Sequence, residues 1–182
     1  MLSFAVMWAA MVVAMALTVL RPARRLALGS PRRFAAFLVG YALTWSAVGV
    51  IAWALMPALA GSAVLLFTAW LAVGVWQTLP VTARLLRRCR GLSARSSVLV
   101  SGMRQGSWCT ASCAPLMVVA MATLHVMGVG MAVMSVAMVA LAAFSMWERR
   151  PSVPLGLVRA TGIAMILAAA GSFVLIAPHA MA

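Results

Sequence analysis

The chain has 182 residues, of which 66% are apolar and 8% charged, against roughly 45–50% and about 25% in soluble globular domains. Water demands a polar coat that so few polar residues cannot supply, so soluble globular, disordered and collagen-like classes are excluded and an integral membrane protein is left. The formal charge of +13 would ordinarily suggest nucleic acid. Every basic residue is an arginine lying between apolar runs, so the charge reads as membrane topology and no nucleic-acid partner is expected.

In chain order, the apolar runs predict six transmembrane helices near 2–20, 35–57, 63–82, 104–124, 128–147 and 159–177, each close to the ~20 residues that cross ~30 Å of hydrocarbon. Met1 to Phe4 carries no positive charge, so the first run is read as a retained span, not a secretion signal. It bears Met7, Met11 and Met15 at four-residue spacing. Arg21, Arg24, Arg25, Arg32 and Arg33 follow before the second span. The junction at Gly61 has no arginine, and the third span ends in Trp76, Gln77, Thr78 and Pro80. Arg84, Arg87, Arg88, Arg90, Arg95 and Arg104 then lead into the fourth span, with Cys89 among them.

The fourth span holds Cys109, Cys113, Met117, Met121 and His125, four residues apart, and is interrupted by Pro115. An arginine-free junction at 126–128 opens the fifth span, which carries Met127, Met131, Met134 and Met138 and closes on Glu148, the single acid. Arg149, Arg150 and Arg159 precede the sixth span. The arginines thus fall on alternate connections, which the positive-inside rule makes cytoplasmic. The expected fold is one all-α polytopic bundle over 1–182 in the cell's inner (plasma) membrane, with both termini outside. Residues 2–82 and 104–177 do not match as a repeat.

Two proline effects are expected inside these spans. A helical proline removes the hydrogen bond to the carbonyl four residues back, so Pro80 frees that of Trp76 and Pro115 that of Ala111. In lipid such carbonyls need new partners. Trp76, Gln77 and Thr78 are equally consistent with lining a site or anchoring at the interface.

The available chemistry lies in sulfur. Cys109 and Cys113 stand at i and i+4, with Cβ atoms ~5–6 Å apart, whereas a disulfide requires about 3.5–4.5 Å. Two thiols on one helical face can instead share a metal ion. Soft thiolates and thioethers select Cu(I), and a two- or three-ligand ion suits three cysteines better than a four-ligand zinc site. The metal-ligand candidates are therefore Cys109 and Cys113, with Cys89 or Met117 as a third. Met121 lies further along the stripe, and Glu148 is a hard ligand or an orienting group. Rows of methionine offer weak successive sites of the kind an ion needs in order to bind and leave, although methionine is also a common filler of apolar gaps.

Two other readings remain open. One is a membrane thiol-redox protein pairing Cys89 with Cys109 or Cys113. The other is a small subunit whose Gly40, Gly49, Gly102 and Gly106 allow close contact with a membrane partner or a second copy. Nucleotide-binding and hydrolase motifs are absent from the sequence, so no enzyme activity is indicated.

Several stretches carry a resemblance. Met7-Trp8-Ala9-Ala10-Met11 is followed by Ala14-Met15, and Gly40-Tyr41 by Trp45. Gln77 and Pro80 precede Leu86-Arg87-Arg88-Cys89-Arg90. Gly102, Gly106, Cys109, Cys113 and Leu116-Met117 share the fourth span, and Glu148-Arg149 closes the fifth. In order and spacing, over about residues 7 to 150, these resemble the family of predicted metal-binding integral membrane proteins catalogued as domain of unknown function 2182. The resemblance implies a metal-linked membrane protein. Leu85 and Ser112 stand where that family tends to have cysteines, Ala114 where it has tryptophan, and Thr18 where it has proline. If those cysteines are ligands, this chain has two fewer.

Overall fold

The computed structural model describes residues 2–27, 30–90, 97–148, 153–154, 156–157 and 159–167. The described residues form α1 (Leu2–Leu26), α2 (Pro31–Gly61), α3 (Ala63–Thr78), α4 (Pro80–Arg90), α5 (Val98–Val126) and α6 (Met131–Glu148), with a further helical stretch over 159–167. Among the described residues the fold is all-α, as the lengths of the apolar runs predict. The outer part of the expected sixth span, 168–177, lies outside the described residues, as do Arg95, Arg149 and Arg150.

Local chemistry sets the helix ends. Pro31 occupies the first position of α2, where its missing N–H costs nothing, behind Ser30 in an extended conformation. Ser62 alone separates α2 from α3, and its Oγ accepts from the Leu65 N–H at 3.3 Å. Ser97 caps α5 in the same way by accepting from Val100. At the other end of α5, Gly128 takes φ +66°, a left-handed turn that favours glycine. Its N–H donates to the His125 carbonyl, and that of Val129 donates to Leu124.

The third predicted span is corrected. It does not run as one helix through Pro80: α3 ends at Thr78, Leu79 is extended, and α4 leaves at 69°. The residue before a proline is pushed out of the helical region, so Pro80 starts a helix here instead of kinking one. α4 is amphipathic, with Thr82, Ala83 and Leu86 buried and Arg84, Arg87 and Arg88 exposed.

Among the described residues α2 and α5 are long and apolar enough to cross a membrane, or three segments if the bent α3–α4 pair counts as one. α1 and α6 contribute the shorter apolar stretches Phe4–Leu17 and Ala132–Ser145. Six crossings were expected from the runs, and two to three meet this test.

α5 is the hub, packed on α2 most extensively and also on α3, α4 and α6, while α1 lies against α2 and α6. Glycines make the α2–α5 contact possible. A Cβ on Gly40 would overlap the Leu99 carbonyl oxygen, and one on Gly102 would overlap that of Phe37. Thr44 adds a hydrogen bond from its Oγ1 to the Met103 carbonyl at 3.2 Å. Gly49 receives the indole of Trp8, and Trp8 Nε1 donates to the Trp45 carbonyl at 3.0 Å. The four glycines that suggested an outside partner thus serve contacts within the chain.

Three bonds clasp α3 to α5: Trp70 Nε1 donates to Thr123 Oγ1 at 2.8 Å, Trp76 Nε1 to the Ala111 carbonyl at 3.0 Å, and Gln77 Nε2 to the Ser112 carbonyl at 3.2 Å. The carbonyl freed by Pro115 therefore finds its donor on α3. The Trp76 carbonyl accepts from the Leu79 N–H at 3.2 Å and from Thr82 Oγ1. Trp76 and Gln77 act as clasps between helices.

Candidate metal centre

The bend at Pro80 determines where Cys89 goes. α4 turns back onto α5 and carries Cys89, three residues beyond the buried Leu86, to the first half of that helix, beside Gln105 and Cys109. There Cys89 Sγ lies 3.1 Å from Cys109 Sγ. Cys109 is fully buried and Cys89 half-buried, so one sulfur lies in the interior and the other in a partly exposed position.

Gln105, one turn before Cys109, fastens the pair. Its side chain is 1% exposed. Nε2 donates to the Cys89 carbonyl at 2.8 Å and lies 3.8 Å from Cys109 Sγ. Its Oε1 is buried without a hydrogen-bond partner. A buried orphan acceptor costs about 1–3 kcal/mol, a cost that leucine at this position would avoid.

Cys113, also buried, directs its Sγ to the Cys109 carbonyl at 2.9 Å. The pair chosen by sequence spacing, Cys109 with Cys113, therefore shares a helix face, but a sulfur from α4 also lies against Cys109. Met117 and Met121 continue the row and are almost completely buried. Glu148 ends α6, and its side chain lies outside the described ones. His125 is exposed at the far end of α5.

The methionine rows converge. One buried cluster contains Met7, Met11 and Met15 of α1, Met117 and Met121 of α5, and Met134 and Met138 of α6, together with Cys109 and Cys113. Met127 is exposed instead, and the side chain of Met131 is not described. Trp8, Trp45 and Tyr41 line the same cluster, with Trp8–Trp45 ring centroids 6.2 Å apart. The guanidinium groups of Arg104 and Arg88 lie over the Trp108 ring, 5.0 and 5.9 Å from its centroid.

This donor set fits a soft monovalent ion. Among the described residues no three His, Cys, Asp or Glu side chains group together, so a four-ligand site of the structural-zinc kind is not formed. A two-sulfur site is close. With metal–sulfur bonds of about 2.3 Å, a linear arrangement separates the sulfurs by about 4.6 Å. Cys89 and Cys109 would need to spread by about 1.5 Å from their 3.1 Å separation, and Cys89 is the half-buried member of the pair.

A helical bundle with membrane-length helices, a thiol pair at one end and thioethers through its core defines a membrane-type handler of soft metal. The chain belongs to the copper chaperone family PpoB2, matched over residues 1–172. No curated protein and no solved structure matches it.

Sequence reasoning missed Gln105. The signal was present, because Gln105 continues the four-residue row of Cys109, Cys113, Met117 and Met121 by one step. It was overlooked because an amide is not a soft ligand, and its value lies in what it holds.

Proposed function

We propose that this protein is a membrane-embedded copper chaperone that captures Cu(I) between Cys89 and Cys109. The observation that carries the reading is the 3.1 Å approach of the two sulfurs across a helix break, in a chain of the copper chaperone family. Capture releases the thiol protons and leaves copper in the +1 state. Cys113, Met117 and Met121 follow along α5 as the next sulfurs in the same buried cluster. Gln105 holds the Cys89 backbone in place and directs an N–H toward the Cys109 sulfur. Glu148, the single hard ligand, belongs in this reading to the entry side and not to the soft site.

The topology proposed with it has six crossings in the cell's inner membrane, the arginine connections cytoplasmic and both termini outside. In support, α3 runs antiparallel to α5, as the Trp70–Thr123 and Trp76–Ala111 bonds require. The exposed arginines of α4 fit a helix lying along the membrane surface. On this view copper enters from the cytoplasm, and the resemblance to the metal-binding family named above describes the same site.

The test is anaerobic Cu(I) titration of detergent-purified protein against a chromogenic competitor. The wild type should bind one tight ion per chain, and Cys89→Ser and Cys109→Ser should each lose it. Tight binding that survives both substitutions would overturn the assignment.

A further inference from the structure

Apolar side chains are sorted in this protein by chemistry as well as by size. Val and Leu each outnumber Met in the chain, yet the buried cluster contains seven methionines, two cysteines and a single branched aliphatic, Val19. Outside, among the described residues, the exposed large hydrophobics are mostly Val, Leu and Ile, with Met103 and Met127 the methionines among them. Filling a gap does not require this, because Leu and Met fill similar volumes. The sulfur is on the inside.

The cluster is also ordered in depth. The Tyr41 hydroxyl reaches the Met15 carbonyl at 3.5 Å, and Trp8 bonds Trp45, so α1 runs antiparallel to α2. Gly102 lies against Phe37 and Gly106 against Thr44, so α2 and α5 run parallel. Met15 therefore sits near the level of Cys109, and Met7 further out, toward Met117. At 1.5 Å per residue, Cys109 to Met121 spans about 18 Å in steps of about 6 Å. This is over half of the ~30 Å hydrocarbon thickness.

The aromatic wall adds a second observation. Trp45 is fully buried with an indole N–H that has no hydrogen-bond partner. A phenylalanine would fill the place without that orphan donor. What tryptophan adds is the most electron-rich face for a passing cation.

We propose that the protein moves Cu(I) along this column, by exchange from the cysteine pair through the core thioethers to the His125 end of α5. The inference rests on the copper assignment, but not on which thiols capture the ion. Each step exchanges one sulfur ligand for the next, the copper stays Cu(I), and no electron is transferred. Weak, repeated sites are what conduction needs, since an ion held too tightly does not leave.

The experiment uses proteoliposomes containing an entrapped Cu(I)-specific chelator, with ascorbate-reduced copper supplied outside. Wild-type protein should fill the lumen faster than protein-free vesicles do. Met121→Leu/Met138→Leu should slow this at least tenfold while its tight site titrates within about twofold of wild type. Met103→Leu, on the exposed surface, should change neither. The single variants Met121→Leu and Met138→Leu repeat the test if the double variant does not purify. A tight site with no wild-type flux, or flux indifferent to the core substitutions, would overturn the column. Methionine-dependent flux without a tight site would count against the cysteine assignment and in favour of the column.

Discussion

Replacing Gln105 with leucine separates what the residue does for copper from what it does for the fold. The change removes the 2.8 Å bond to the Cys89 carbonyl and the N–H near Cys109, a loss of about 1 kcal/mol for an ordinary hydrogen bond. It also removes the orphan Oε1, whose burial costs about 1–3 kcal/mol. The two nearly offset, so the melting temperature of Gln105→Leu should stay within a few degrees of wild type or rise. Copper affinity should not be spared. Groups that orient metal ligands are worth roughly 10–100-fold in affinity, or about 1.4–2.7 kcal/mol. The assay is competitive Cu(I) titration beside thermal unfolding in the same detergent. Affinity unchanged, or lowered only in proportion to lost stability, would refute the view of Gln105 as a positioning residue.

Trp76→Phe leaves the Ala111 carbonyl without its α3 donor and should cost about 1–2 kcal/mol. In a Pro115→Ala background the cost should shrink, because alanine in place of the proline restores the intrahelical N–H, and a double-mutant cycle that finds no coupling would count against the clasp. Gly102→Val places side-chain atoms on the Phe37 carbonyl, so it should abolish the folded protein by size-exclusion chromatography, whereas Gly156→Val, where a Cβ meets nothing, should purify normally. Mild oxidation with diamide should link Cys89 to Cys109 and leave Cys113 alkylatable in peptide mapping. Prior loading with Cu(I) should block that link, and a Cys109–Cys113 bridge instead would contradict the geometry.

Much of this architecture was legible in the residues themselves. The membrane class followed from the shortage of polar side chains, and the helices from the lengths of the apolar runs. The freed carbonyl of Ala111 followed from Pro115 alone, though its partner did not. The break at Pro80 was read as a kink within one span because hydropathy continues across it. The backbone restriction on Leu79 prevailed over that continuity, and α4 became a separate amphipathic helix.

Part of the site was legible for the same reason. Four-residue spacing put Cys109, Cys113, Met117 and Met121 on one face of α5, and the structure keeps them in one core. It could not show that Cys89, twenty residues earlier, comes within 3.1 Å of Cys109, because that contact depends on the 69° turn between α3 and α4. Nor could periodicity say whether the methionine rows face lipid or one another. That depends on how α1, α2, α5 and α6 pack, and the glycine contacts of α2 decide it.

X-ray absorption at the copper edge of anaerobically loaded protein tests the central claim most directly. The account predicts Cu(I) in a first shell made only of sulfur, with two short thiolate bonds that disappear in Cys89→Ser and in Cys109→Ser. A shell dominated by nitrogen or oxygen, or a sulfur shell unchanged when Cys89 is replaced, would contradict it.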